Sequence, residues 1–297
     1  MQTDEIGGKG SVSIEARKLF TDAFMRWMNG WQAVELFRQV SHKGIPIAEQ
    51  EAFAQSRVVA EEMGDRPEYA NIFHNSDFDT ETMKAAFAEK ATEQLVTSIN
   101  SAIDGASLVY VHAFLEAITF DYLKVVALTE PSAYQHFIKD KKVSITDTQN
   151  LNADQIREKA IKEVLKEWEI KPLIFKIDKL FALCPPPESF SPIKDFTFDN
   201  ERMKRLDSAR HDVAHHDGIH KPIPNIEEEL RFLNQCCLYL GRLVIEKYHY
   251  TVDWNHIMQK PHSLTDLVDI YTRGETAMKE HEAEKAQGQT QTEKRRL

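Results

Sequence analysis

Apolar residues along this chain recur three and four positions apart in almost every patterned stretch, the period of a helix and not of a strand. Ser13 can cap a first helix in which Ala16, Phe20, Ala23, Trp27, Trp31 and Val34 share a face. Pro46 is expected to open a second, weaker helix reaching about Met63. After a polar loop, Asp79 or Thr80 starts a third pattern through Met83, Phe87, Ala91, Leu95 and Ile99, with a bend expected at Gly105. The most apolar window, Ala106 to Leu128, is interrupted by His112, Glu116, Asp121 and Lys124 and so predicts a buried core helix, not a membrane span. Ile156, Ala160, Val164 and Trp168 mark a further helix, and Pro172 separates it from a short one ending near Leu183. CPPPESFSP excludes helix and central strand, because proline at that density removes backbone donors. A helix from about Asn200 should stop at Gly218. The last long one, capped by Asn225, buries Ile226, Leu230, Leu233, Cys237, Leu240, Val244 and Tyr248. The fold class is therefore all-α.

Composition narrows this picture. Eleven glycines and eleven prolines in 297 residues leave room for long helices. The formal charge of −10 confers no general attraction to nucleic acid or anionic membranes, so any polyanion site has to be local. Cys184, Cys236 and Cys237 form no spaced disulfide or thiolate-metal framework. The start, MQTDEIGGKGS, is not a secretion signal, which sets a cytoplasmic location and no membrane partner as expectations. Three regions are expected: an N-terminal helical region over 1–79, a helical bundle over 80–255, and a charged C-terminal extension over 256–297.

Chemistry concentrates in RHDVAHHDGIHKP, residues 210–222, with four histidines, two aspartates and one arginine. His211 and His215, four apart, share a helix face and could bind one divalent ion. A zinc-protease HExxH motif would need Glu where Asp212 stands, and no third ligand is evident, so no metal is assigned. Histidines in a last helical turn also favour the helix dipole without any catalytic role. On the apolar window, His112, Glu116 and Thr119 form a single polar stripe. A buried Glu116 wants a cation, and Arg210 is the expected partner, with solvent or another base as the structural alternative. Arg202, Lys204 and Arg205 make a small basic cluster ahead of the motif, although residues 194–221 hold six basic and six acidic side chains.

Arg210, followed by polar His211 and, five positions on, by His215, closes a helix that a proline turn and a long amphipathic helix follow. About a hundred residues upstream lies VYVHAFLEAITFDYL. This arrangement, over roughly residues 80–255, resembles the HEPN family, whose mark is Arg, four to six residues, then His. The resemblance implies a HEPN-like helical bundle with an additional N-terminal helical region. It also implies a homodimer in which two motifs face one cleft. The implied activity is metal-independent, cofactor-free endoribonuclease chemistry, with Arg210, His215, His211 and Glu116 as catalytic residues and Arg202, Lys204 and Arg205 on RNA. Defence or toxin–antitoxin systems, with an inhibitor or defence-system protein as partner, are the implied setting. The subtype that carries a modifiable tyrosine two residues past the histidine has Asp217 here. Two alternatives stay open: a non-catalytic module binding RNA, nucleotide or a protein partner, and a metal-dependent phosphohydrolase built on the histidine cluster.

Overall fold

In the computed structural model, residues 13–66, 79–139, 141, 151–188, 190–215, 222–253 and 256–257 are described, and no strand occurs among them. Helix α1 spans Ile14–Gly64 and α2 spans Thr80–Thr129. A 3-10 turn at Pro131–Tyr134 runs into the single turn α3, Gln135–Ile138. Then come α4 (Ala153–Glu169), α5 (Leu173–Leu183), α6 (Asn200–His215) and α7 (Ile226–Tyr248). Residues 1–252 group as one compact unit and 253–297 as another. The all-α expectation holds for the described residues.

The second half of α2 is the axis of the first unit. Leu108, Val111, Leu115, Ile118, Leu123, Val125 and Val126 are all at most 1% exposed. Helices α1, α5, α6 and α7 each pack against α2. Ala16, Phe20, Ala23 and Val34 of α1 belong to the same hydrophobic core as Leu173 and Ile177 of α5, Met203 and Leu206 of α6, and Leu230 to Val244 of α7. Polar bolts cross between helices. Arg38 is 7% exposed and pairs with Asp104 of α2 (2.7 Å) and with Glu227 of α7. Trp27 donates its indole N–H to Asn234 at 2.8 Å, and Arg26 pairs with Asp121.

Several local expectations change. Pro46 does not open a helix but sits inside α1. Proline loses its own N–H bond and crowds the carbonyl of His42, but its exposed position between half-buried Ile45 and Ala48 lets packing on α2 carry the helix through. The face expected from Met83 to Ile99 is rotated: Ala88 and Thr92 are buried, whereas Leu95 is 47% exposed. Small residues there let α1 and α2 lie close. α2 runs unbroken through Gly105, where a Cβ would meet Val213 of α6 at 2.9 Å, so this glycine serves a close helix approach and not a bend. Asn225 precedes α7 in a left-handed conformation (φ 54°) and makes no side-chain cap; its carbonyl accepts from the Glu228 and Glu229 amides instead. Ser13 and Asp79 do cap α1 and α2, and Asn152 with Gln155 forms a capping box on α4 that the hydrophobic pattern had not revealed. The expected stop at Gly218 lies outside the described residues.

Candidate functional site

Asp199 immediately precedes helix α6, and its carboxylate accepts the Arg202 amide at 2.9 Å. Met203 and Leu206 are buried, and Val213 leans on Gly105, so one face of α6 is fixed against α2. The opposite face carries His211, Asp212, Ala214 and His215, all exposed. The two imidazole rings lie 4.6 Å apart between centroids, tilted by 50°. That is the side-by-side placement expected of histidines four apart in a last helical turn.

Arg210 stands at the border of the two faces, its side chain 24% exposed. Its Nη2 donates to Asp207 at 3.0 Å, while its Nε is buried with no hydrogen-bond partner among the described residues. Behind Asp207 is His112 of α2, 1% exposed in its side chain, with Nε2 at 3.2 Å from the same carboxylate oxygen. That oxygen lies off the direction a ring N–H would need, and neither ring nitrogen of His112 has a hydrogen-bond partner among the described residues. The contact is therefore a close approach without a well-directed hydrogen bond. The His112 ring, opposed by partial burial and then aided by Arg210, holds the Asp207 carboxyl down at about 2. His112, Asp207 and Arg210 form a connected series from the core to the border of the exposed face.

Glu116 is not part of this series. Its Oε1 accepts from Lys176 of α5 at 2.6 Å, and that lysine side chain is only 4% exposed. The expected pairing with Arg210 is replaced by a bolt between α2 and α5. Of the polar stripe, Thr119 is buried and donates to the Leu115 carbonyl at 2.8 Å. Arg202 is bound to Glu229 at 2.7 Å and stacks over Phe232 with 4.5 Å to the ring centroid, so its guanidinium ties α6 to α7. Lys204 pairs with Glu201 at 2.7 Å on the surface, and Arg205 is exposed. The structure thus gathers Arg210, His211 and His215 at one helix end and leaves Glu116 and Arg202 elsewhere.

Asp207 was missed, although its place three residues before Arg210 is the spacing of an intrahelical ion pair. His112 was visible as a polar break in an apolar helix, but nothing in sequence spacing aims it at Asp207, 95 positions away. Among the described residues no group of three or more His, Cys, Asp or Glu side chains is placed to hold a metal ion. No helix among them is long and apolar enough to cross a membrane. Comparison with protein-family models, with curated proteins and with solved structures finds no match.

Proposed function

We propose that the exposed end of α6 cleaves RNA without a metal, as a HEPN-type endoribonuclease. The observation that supports this is the pairing of His211 and His215, 4.6 Å apart, beside an Arg210 whose guanidinium is gripped by Asp207. RNA brings its own nucleophile, the 2′-hydroxyl, so cleavage needs a base to take its proton, an acid for the leaving 5′-oxygen and a cation for the phosphorane. Imidazole titrates near neutrality and serves either proton role. Arginine stays charged and can present two N–H groups to phosphoryl oxygens. With Nη2 donating to Asp207 and Nε buried, Nη1 and the second Nη2 hydrogen are the donors such a phosphate would use. The products are a 2′,3′-cyclic phosphate and a 5′-hydroxyl. Arg210 and His215 sit five positions apart, about 140° around a regular helix. A second copy facing the first, as the HEPN resemblance implies, brings base and cation from different chains to one phosphate. A defence or toxin–antitoxin role, with an inhibitor or defence-system partner, rests on that resemblance alone.

Purified protein incubated with RNA tests the proposal. Cleavage is expected to persist in excess EDTA and to vanish when the scissile ribose is 2′-deoxy. His215→Ala is expected to lower the rate by about 10²–10⁴-fold, as for a general acid–base residue. Arg210→Lys is expected to be impaired too, since a point charge lacks the planar two-donor geometry. Activity abolished by chelator and restored by added ions would instead indicate a phosphohydrolase using the histidine cluster. RNA binding without cleavage from any preparation would indicate a binding module.

A further inference from the structure

The arm made by α1 and the first half of α2 exposes a long apolar face. Leu36, Phe37, Val40, Ile47 and Val58 of α1 are 43%, 44%, 57%, 48% and 53% exposed. Phe37, Val40, Ile47 and Val58 fall on alternating steps of three and four residues that also pass through Ala33, Gly44, Glu51 and Ala54, the spacing of a helix–helix seam, with Leu36 beside it. This seam is distinct from the one that packs on α2, which uses Val34, Arg38 and Ala52 and lies about 120° around the helix. Helix α2 widens the face: Tyr110 is 51% exposed, and with Ala106 it forms a groove against Ala33 and Phe37. A single charge, Glu51, interrupts the seam.

We propose that a second copy of this chain lays its arm antiparallel across this face, building a four-helix contact about a two-fold axis near Ile45 and Pro46. Register supports that occupant. With the axis there, Gly44 meets Ile47 of the second copy, Phe37 meets Ala54, and Ala33 meets Val58, so at these three levels a large residue faces a small one. A Cβ at Gly44 would touch nothing within 4 Å, which leaves room for the incoming Ile47. Glu51 falls opposite Val40, one turn from exposed Lys43. Each copy's Lys43 thereby reaches the other's Glu51, and the one charge in the seam gains a counter-ion. An isologous contact supplies both halves of that exchange, which a different partner would have to imitate. The α1 half of this surface lies outside the residues that resemble the HEPN family. The pairing sets the two copies' α6 ends at opposite ends of the contact, so it is separate from the second copy that the ribonuclease proposal brings to the α6 end.

The test is the mass of the full-length protein in solution. Light scattering at micromolar concentration is expected to give at least twice the 34.2 kDa of one chain. Val40→Asp with Ile47→Asp is expected to halve that mass with an unchanged helical circular-dichroism signal. Lys43→Glu and Glu51→Lys are each expected to raise the dimer dissociation constant at least about tenfold, because the like-charge contact occurs twice. Combined, the two reversals are expected to restore pairing. A monomer at about 50 μM, far above a micromolar dissociation constant, overturns the proposal and leaves the face to another occupant. A dimer indifferent to Val40→Asp with Ile47→Asp, or charge reversals that do not rescue each other, overturns it equally.

Discussion

Asp207 is the residue on which the candidate site turns. Its carboxylate faces a buried histidine from another helix and an arginine from its own, and the two together outweigh the cost of partial burial. A carboxyl held at about 2, below its ordinary value near 4, contributes stability that is present above the ordinary value and is lost as pH falls through the folded one. Asp207→Asn is therefore expected to cost on the order of 1–2 kcal/mol at pH 7, with the gap from wild type closing between about pH 4 and pH 2. Denaturant titrations of both proteins at pH 7, 4 and 2.5 would show it. A gap that stayed constant with pH would mean that the carboxylate's charge is not what holds Arg210. At this scale the sequence was partly legible. Arg210, His211 and His215 come together because helical spacing alone places them, whereas the His112 contact depends on how α6 crosses α2, which no local pattern encodes.

Pairs of helices explain where the remaining candidate residues went. Glu116 lies on α2 where α5 crosses, so the cation it meets is Lys176 and not Arg210. A lysine 4% exposed has little water to fall back on, and removing its carboxylate leaves a buried charge without its partner. Glu116→Gln is expected to lower stability by about 1–3 kcal/mol, and Lys176→Met in the same chain is expected to return part of that loss. Chemical denaturation of the two single variants and the double one completes the cycle. RNA cleavage by the folded Glu116→Gln protein should match wild type, whereas a rate loss at unchanged stability would return Glu116 to the site. Single-helix features were the legible ones. Ser13 and Asp79 cap as their side chains dictate, and the buried stripe of α7 runs through Ile226, Leu230, Leu233, Leu240 and Val244 as spaced. Which helix faces which was not legible, because an apolar stripe specifies burial without naming what covers it.

Across the whole molecule, the same two helices serve a dense bundle at one end and a thin arm at the other. In the bundle α2 is surrounded, with Leu108, Leu115, Ile118 and Leu123 at most 1% exposed. Along the arm, α1 beyond Arg38 buries only Ala52 and Ala60, and α2 before Ser101 buries only Ala88 and Thr92. An alanine offers little apolar area, so the arm gains far less from burial than the bundle does. Composition had made the long helices legible, since breakers are sparse, but Pro46 concealed that one helix runs the length of α1. The contrast in packing sets local stability. With the arms kept apart by Val40→Asp with Ile47→Asp, amides in residues 52–64 and 80–92 are expected to exchange with solvent at least about 100-fold faster than those in 111–127, since segments with few buried contacts open below the global unfolding energy. Hydrogen–deuterium exchange read by mass spectrometry compares the two directly. In the wild-type protein at micromolar concentration, pairing of the arms should slow exchange along residues 33–58 and leave 111–127 unchanged, because a ligand that binds only the closed arm stabilises it by mass action. Equal protection of arm and bundle in the separated variant would show that small residues alone hold α1 and α2 together as firmly as the core does.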